Sequence, residues 1–574
     1  MKRPYSSMNI EELERVFQMS EEMTAVLKDL ATELSHRKTP RARALAAKVT
    51  ERLRQLGEGQ ASEQHNAAAL QAKRNKGEHR RHKSTFNPTA EQIDCLRRFQ
   101  NGESFKITAF AGTGKTSTLR LLAESTSRKG LYLAFNKAAA TEALESFPPN
   151  VRCSTTSSLA HQAMRLLYSR EKLTTHVNAN KLAEDLNLRD VQIGPNDLMK
   201  ARSLAALIQR TLRNFMYSDS DLIRIEHVPQ FGRFVGVRDE FWAPIKICAF
   251  EYAKRVWQRM CDGGDAIPLG FDGYLKLWAL SNPVLETEFI FLDEAQDTNP
   301  VVKRVVEQNS RFTQVVYVGD RHQQIYEWMG AINAMDGLGR NLPECCLTTS
   351  FRFGQAIADG ANEVLKYLGE KRKISGNPAI SSRIGENTPD AILARTNATV
   401  ISELICAIDQ NRRPHIARRT KQELERLMKG VGELKAGRPT DVPEWFGFEN
   451  WSEVVEFVQN GEDENLRTFV NLVQTRTEKQ ILWALGQTVD EKNADVTFST
   501  AHQAKGLQWR HVRLADDFPT SRLDKNGKPR AAIEAEARLF YVAMTRAQES
   551  VHFNPATLAL FAGERQTKPS SHPS

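Results

Sequence analysis

Ala109-Phe110-Ala111-Gly112-Thr113-Gly114-Lys115-Thr116 is the stretch on which the reading of the fold turns. It follows an apolar run, Phe105 to Phe110, and leads into a helical pattern beginning near Ser117, the strand, loop and helix setting of a phosphate-binding loop. Glycines let backbone N–H groups turn inward around phosphate oxygens, and a helix N-terminus adds positive potential. Ala111, Gly112, Thr113 and Gly114 would form the cradle with Ser117 beside it, Lys115 would reach the β- and γ-phosphates, and Thr116 would ligate Mg2+. Ala109 occupies the first position of the pattern, where glycine is usual, and a plain glycine-rich turn is the alternative for this stretch taken alone.

A second signal favours the phosphate reading. Phe289-Ile290-Phe291-Leu292 runs into Asp293-Glu294-Ala295-Gln296-Asp297, so an apolar strand ends in two acids, at the edge where open α/β sheets bind ligands. Acids after a strand usually serve solvation. Beside Lys115 and Thr116 they instead suit a nucleoside triphosphatase centre, with Asp293 on the metal and Glu294 orienting and deprotonating the attacking water. Lys115 and Asp293 stand too far apart for one compact nucleotide domain, so a mostly helical insertion is expected at 162–264.

Outward from these motifs, short apolar runs alternate with helical segments, an α/β pattern. Strands are expected at Phe105 to Phe110, Gly130 to Phe135, Phe289 to Leu292, Val315 to Val318, Ala391 to Ala394, Val496 to Ser499 and Val512 to Leu514, enough for two sheets. Before them, Ile10, Leu13, Val16, Phe17 and Leu27 to Leu34 read as one helix started by Asn9 and Glu12. Thr39, Pro40, Leu45, Val49, Leu53, Leu56 and Gly57 read as a second. Residues 58–85 lose apolar periodicity, and within 71–83 Lys73, Arg74, Lys76, Arg80, Arg81 and Lys83 face one acid, Glu78, in what reads as a basic linker, a nucleic-acid arm or a localisation signal.

The 574 residues set a prior of about three to five domains. A hydrophobic fraction of 40% and modest Gly and Pro exclude a disordered or collagen-like chain. The net charge of +9 permits a polyanionic partner without demanding one. No apolar stretch is long enough to span a membrane and no signal-peptide pattern opens the sequence, so a soluble protein of the cytoplasm, or of the nucleus in a nucleated cell, is expected. Seven cysteines without a C-x-x-C pair signal neither a disulfide framework nor a metal cage.

Asp293 to Asp297 and Gly319-Asp320-Arg321-His322-Gln323-Gln324-Ile325-Tyr326-Glu327-Trp328-Met329-Gly330-Ala331 resemble motifs II and III of the UvrD/Rep group of superfamily 1 DNA helicases. Further matches follow in order. Phe86 to Gln92 resembles the adenine-reading Q motif and Ala134 to Ala139 motif Ia, while Thr349 to Arg352, Thr500 to Leu507 and Tyr541 to Ala547 resemble motifs IV, V and VI. Asp272-Gly273-Tyr274-Leu275-Lys276-Leu277-Trp278 and Leu514-Ala515-Asp516-Asp517-Phe518 look most like the F-box DNA helicase branch, although no F-box is recognised and two predicted helices stand in its place.

The resemblance implies two RecA-like P-loop domains with parallel sheets, each carrying a mostly helical insertion, after an N-terminal helical extension. The expected ranges are 1–84 for the hairpin and linker; 85–161 with 265–345, interrupted by 162–264, for the first motor domain; 346–400 with 496–560, interrupted by 401–495, for the second; and 561–574 for a polar tail. It implies ATP and Mg2+, duplex unwinding by movement on single-stranded DNA from 3′ to 5′, and action at junctions of single and double strands; a translocase that strips proteins, or a non-hydrolysing scaffold, are the alternatives. The motor can work as a monomer, and residues 1–84 are a candidate surface for a protein partner.

By position, Gln92 would read the adenine edge, Phe351 stack on the base, Gln323 sense the γ-phosphate, and Arg352 and Arg546 act as arginine fingers. Gln508 stands where Glu usually binds the ribose, and Met329 where Arg is usual. DNA contacts are expected from Phe135, Asn136, Thr156, Tyr326, Trp328 and His502, Phe135 reading equally well as core. Arg412, Arg413, Arg418, Arg419 and Lys421 form a basic run, either solvated surface or a duplex contact.

Overall fold

The computed structural model describes residues 10, 13, 24–37, 39, 42, 45–50 and 87–562, except 176–178, 196, 232–233, 326–341, 441, 446, 461–463 and 524–532. The basic stretch 71–83, Tyr326, Trp328, Met329 and the tail beyond 562 lie outside the described residues.

β1 (Phe105–Ala109), β2 (Gly130–Leu133) and β3 (Val151–Ser154) begin a sheet that is interrupted by a helical body containing the short antiparallel hairpin β4 (Val191–Ile193) and β5 (Asp197–Met199). β6 (Phe289–Leu292), β7 (Gln314–Gly319) and β8 (Glu344–Leu347) complete it in the order β3-β2-β6-β7-β1-β8, all parallel. β1, β2, β6 and β7 are apolar and almost wholly buried because helices cover both faces, as a parallel sheet requires. Their C-terminal ends carry the loop after Ala109, Phe135, Asp293 and Asp320 to one edge.

A second parallel sheet consists of β9 (Arg383–Ile384), β10 (Ala391–Ala394), β11 (Pro414–Ile416), β12 (Val496–Thr500), β13 (Trp509–Leu514) and β14 (Ala547–His552), in the order β11-β12-β10-β13-β14-β9. The two sheets make the chain an α/β protein with two RecA-like domains.

The structure moves three expected boundaries. Cys346 and Leu347 still pair with Thr108 and Ala109, so the first sheet ends after 345 rather than at it. The helix Gly270–Leu280 packs on the helix Ala201–Tyr217, so the helical body runs past 264. The second insertion does not start at 401: helix Asn397–Asp409 and β11 belong to the second sheet domain, and the helical segment begins with Arg418–Lys435. Nor is it a detached lobe, because Leu424, Met428, Trp445 and Ile481 share one apolar core with Ile392, Ile401 and Phe498 of the sheet.

In the N-terminal part, Leu13, Leu27, Leu30, Leu34, Ala42, Leu45 and Val49 form their own core, and Thr39 Oγ1 accepts the Ala42 N–H at 3.3 Å. That agrees with two helices sharing an apolar seam. Among the described residues no helix is long and apolar enough to cross a membrane.

Candidate active site between the two sheets

The loop after β1 turns through Gly112 and Gly114, both in the left-handed region at φ 74° and 80°, and delivers Lys115 to the first turn of helix Lys115–Glu124. Glycine at 112 is required twice over, since a Cβ there would lie 2.6 Å from Arg352 Cβ and Ser350 Oγ. The second domain therefore lies directly on the loop, and Phe351 N–H donates to the Gly112 carbonyl at 2.8 Å. Thr113 Oγ1 bonds the Phe110 carbonyl, while Thr116 is exposed at the helix start and Ser117 half-buried behind it.

Lys115 Nζ lies 2.6 Å from Glu294 Oε1. Burial disfavours its charge, yet Glu294, Asp293 and Asp320 outweigh burial and raise its pKa. Glu294 shows the converse: burial pushes it up, but Lys115 and Lys505 hold it well below the usual range, so it is a carboxylate. At φ 49° it is one of the few non-glycine residues in the left-handed region, strain that costs roughly 1 to 3 kcal/mol and clusters at functional sites. Asp293, raised by burial and by the Glu294 charge, accepts the Tyr132 hydroxyl at 2.6 Å.

A chain of polar groups links the two domains behind this pair. Tyr541, from helix Ile533–Met544, accepts the Ala111 N–H at 3.1 Å and donates to Asp320 Oδ2 at 3.1 Å. Asp320 also accepts Gln323 Nε2 at 2.7 Å, and Gln323 Oε1 accepts Arg546 Nη2 at 3.3 Å. Lys505 from the second domain pairs with Asp297, reaches the Gln323 carbonyl at 2.8 Å and stands 3.6 Å from Glu294 Oε2. Burial raises Asp297 to about 6 despite Lys505, and Gln296 ties Glu294 to the backbone N–H of Asp320.

Arg352 and Arg546 both arrive from the second domain. Arg352 donates to Gln508 Oε1 at 2.9 Å and to the Thr545 carbonyl at 3.1 Å. Burial, with Arg352 as a like-charged neighbour, lowers Arg546 to about 9, and burial lowers Arg352 as well. Two guanidiniums are thus held beside the loop at an electrostatic cost that a polyphosphate would offset. Gln508, expected at a ribose, here holds Arg352.

Gln92 lies fully buried beside the loop. It forms a reciprocal cap with Thr89, accepting Thr89 N–H at 3.0 Å, and its Nε2 donates to Thr118 Oγ1 at 3.0 Å. A Cβ on Gly114 would lie 3.6 Å from that Nε2 and 3.4 Å from the ring of Phe351, so amide and aromatic converge on one spot. Phe351 is 43% exposed, leaving ring surface for a base.

Phe135, 46% exposed at the end of β2, opens onto a cavity of about 350 Å3 that is also lined by Thr156, Tyr217, Asp297, Arg419 and Gln503. Asn136 is only partly available, because its Oδ1 caps helix Lys137–Ser146 through the Ala139 N–H at 2.9 Å. His502 is not among the lining residues; its neighbour Gln503 is, and burial pushes the His502 imidazole down to about 4, so it is neutral near pH 7. The basic run is dispersed: Arg413 pairs with Asp495 at 2.7 Å and Lys421 donates to Thr488 Oγ1 at 2.8 Å. Asp297, Asp320, Lys505 and Tyr541 lay inside the quoted motifs without an assigned role. Tyr132, an apolar-run residue, carried no signal at all.

Residues 92–329 match the model of an AAA domain and residues 415–554 that of the UvrD-like helicase C-terminal domain. A chicken (Gallus gallus) protein named F-box DNA helicase 1 is 31% identical over 516 residues, covering 83% of this chain and 50% of its own. In Schizosaccharomyces pombe, F-box DNA helicase protein 1 is 29% identical over 527 residues, covering 84% and 59%. ATP-dependent DNA helicase UvrD2 of Mycobacterium bovis is 25% identical over 344 residues, covering 49% of each chain. The chain thus spans about half the length of the curated relatives it matches. With two RecA-like sheets joined across a phosphate-binding loop, and family matches on both sides of the joint, the chain belongs to the UvrD-like superfamily 1 helicases, near the F-box DNA helicase branch.

Proposed function

We propose that the chain is an ATP-driven DNA helicase that moves along single-stranded DNA, 3′ to 5′, and separates duplex. The observation that carries the reading is the arrangement around Lys115: a half-buried lysine and carboxylate pair on the first domain, faced by Arg352 and Arg546 from the second. The relatives named as DNA helicases support the substrate, and the direction rests on the family alone.

ATP would exchange Lys115 from Glu294 onto its β- and γ-phosphates, freeing the Glu294 carboxylate to take a proton from the attacking water. Gln92 and Phe351 bracket the base, and Arg352 and Arg546 stabilise the charge that develops on the transferred phosphoryl group. Asp293 and Thr116 offer the hard oxygen donors that suit Mg2+, which would supply charge neutralisation on the phosphates. Each turnover then changes how tightly the second domain is held to the loop, because the γ-phosphate binds the closed arrangement better than the open one. Strand bases stacked at Phe135 shift with that change.

The test is ATPase activity with and without single-stranded DNA, beside Lys115→Ala. Stimulation by the strand in the natural chain and loss of turnover by orders of magnitude in the variant, with strand binding kept, are expected. Persistent hydrolysis in Lys115→Ala would overturn the site. The second insertion, fused into the core of its sheet domain rather than projecting from it, favours one further reading: a translocase that displaces proteins with little unwinding. Strand displacement on 3′- and 5′-tailed duplexes, run beside displacement of a bound protein, separates the two and reports polarity.

A further inference from the structure

Within the basic run near the start of the second insertion, Arg412, Arg413 and Lys421 have partners, whereas Arg419 faces the cavity. Arg413 is held by Asp495, and Lys421 by Thr488. Arg419 is exposed and has no hydrogen-bond or ion-pair partner among the described residues. The acid one helical turn on, Glu423, is the natural i to i+4 partner, but its carboxylate instead takes Asn397 Nδ2 at 2.9 Å and Gln503 Nε2 at 3.1 Å. Helix Arg418–Lys435 also begins without a side-chain cap, at Ala417, and places Arg418 and Arg419 in its first turn, where the helix dipole disfavours cations. Neither pairing nor helix stability accounts for arginine at 419.

Its position does. Arg419 lines the 350 Å3 cavity together with Phe135 and Thr156 of the first domain and Tyr217 of the helical body. An aromatic ring and an uncommitted guanidinium lining one cavity suit a nucleotide unit, with the base on the ring and the phosphodiester on the cation. We propose that Arg419 is a backbone-phosphate contact for a single nucleic-acid strand, supplied by the second domain to the cavity that Phe135 and Thr156 line from the first. The inference deepens the functional reading above and rests on it. Because Arg419 belongs to the second domain and Phe135 to the first, closure of the cleft changes the span between the two contacts. The strand is thereby gripped differently in the two arrangements.

The experiment measures binding of a dye-labelled oligo(dT) to the full chain against salt, with and without a non-hydrolysable ATP analogue. Each phosphate contact on a single strand contributes a slope of about −0.7 in log K against log salt. Arg419→Ala should flatten the slope by about that amount and shrink the analogue-dependent change in affinity, while Arg419→Lys retains the slope. Arg418→Ala, in the same helical turn but not on the cavity, should keep the natural slope. An unchanged slope in Arg419→Ala, or an equal loss in Arg418→Ala, overturns the contact. A natural chain that binds no single strand and shows no strand-stimulated ATPase overturns the functional reading itself, and this inference with it.

Discussion

The Tyr541 hydroxyl makes two bonds with different destinations, one from the Ala111 N–H of the phosphate loop and one to Asp320 beside Gln323. It is thereby a joint between loop and γ-phosphate sensor, carried by the opposite domain. Tyr541→Phe keeps the ring packed and removes only the joint. A buried hydrogen bond lost with its partners left unsatisfied costs about 1 to 2 kcal/mol, so kcat should fall roughly 5- to 30-fold with the KM for ATP little changed. Steady-state ATPase kinetics decide this, and an unaltered kcat would make the hydroxyl merely structural. Tyr541, Asp320 and Lys505 were all visible as members of motifs. What they touch was not, because each makes its decisive bond to the other domain. Tyr132 was illegible for another reason: in an apolar strand a tyrosine reads as core until its hydroxyl is seen on Asp293.

At the scale of elements, the central strands were legible because β1, β2, β6, β7, β10 and β12 are apolar runs buried on both faces. β3, β8, β11 and β14 escaped notice: Ala547–His552 carries Gln, Glu, Ser and His, so no apolar run marks the strand, and its Glu549 and Ser550 side chains meet His511 of β13. The boundaries at 345 and 401 failed for a related reason, since the first cuts through the unrecognised edge strand β8 and the second falls before the unrecognised edge strand β11.

One turn that no pattern announced is the segment Glu370 to Arg372. Glu370 accepts Arg321 Nη2 at 2.7 Å, His322 Nε2 at 3.1 Å, Arg372 Nε at 3.1 Å and the Lys371 and Arg372 N–H groups at 2.9 and 3.0 Å. Burial alone would raise its carboxyl, but these bonds hold it far below the ordinary 4.5. The native state therefore binds this proton less readily than the unfolded chain does. Its stabilisation is complete above about pH 4.5 and fades as the pH falls toward the lowered value. Chemical denaturation between pH 4 and 7 should show Glu370→Gln less stable than the natural chain at pH 7, with the gap narrowing toward pH 4. A gap that does not vary with pH would remove the carboxylate from the clamp.

Over the whole molecule, the apolar contacts do not respect the division into two sheets. Phe110, Ala111 and Ile325 of the first domain belong to the same buried cluster as Phe353, Ile357, Tyr541 and Phe540 of the second. Phe110 also stacks on His322, with ring centroids 6.2 Å apart. Two bodies sharing a core should unfold together. Phe110→Ala removes the largest shared side chain from the first domain, at a cost of about 3 to 5 kcal/mol, and should split one calorimetric transition into two. A single transition of unchanged width would mean that the polar joint alone couples the halves. The sequence motifs allowed two motor domains to be expected; this common core was illegible, since it joins residues far apart in the chain, as with Ala111 and Tyr541, 430 positions apart. It also bears on how ligands for the protein are found. A compound that braces the phosphate loop strengthens both halves, so melting-temperature screens should register nucleotide-site binders as shifts of the entire unfolding curve.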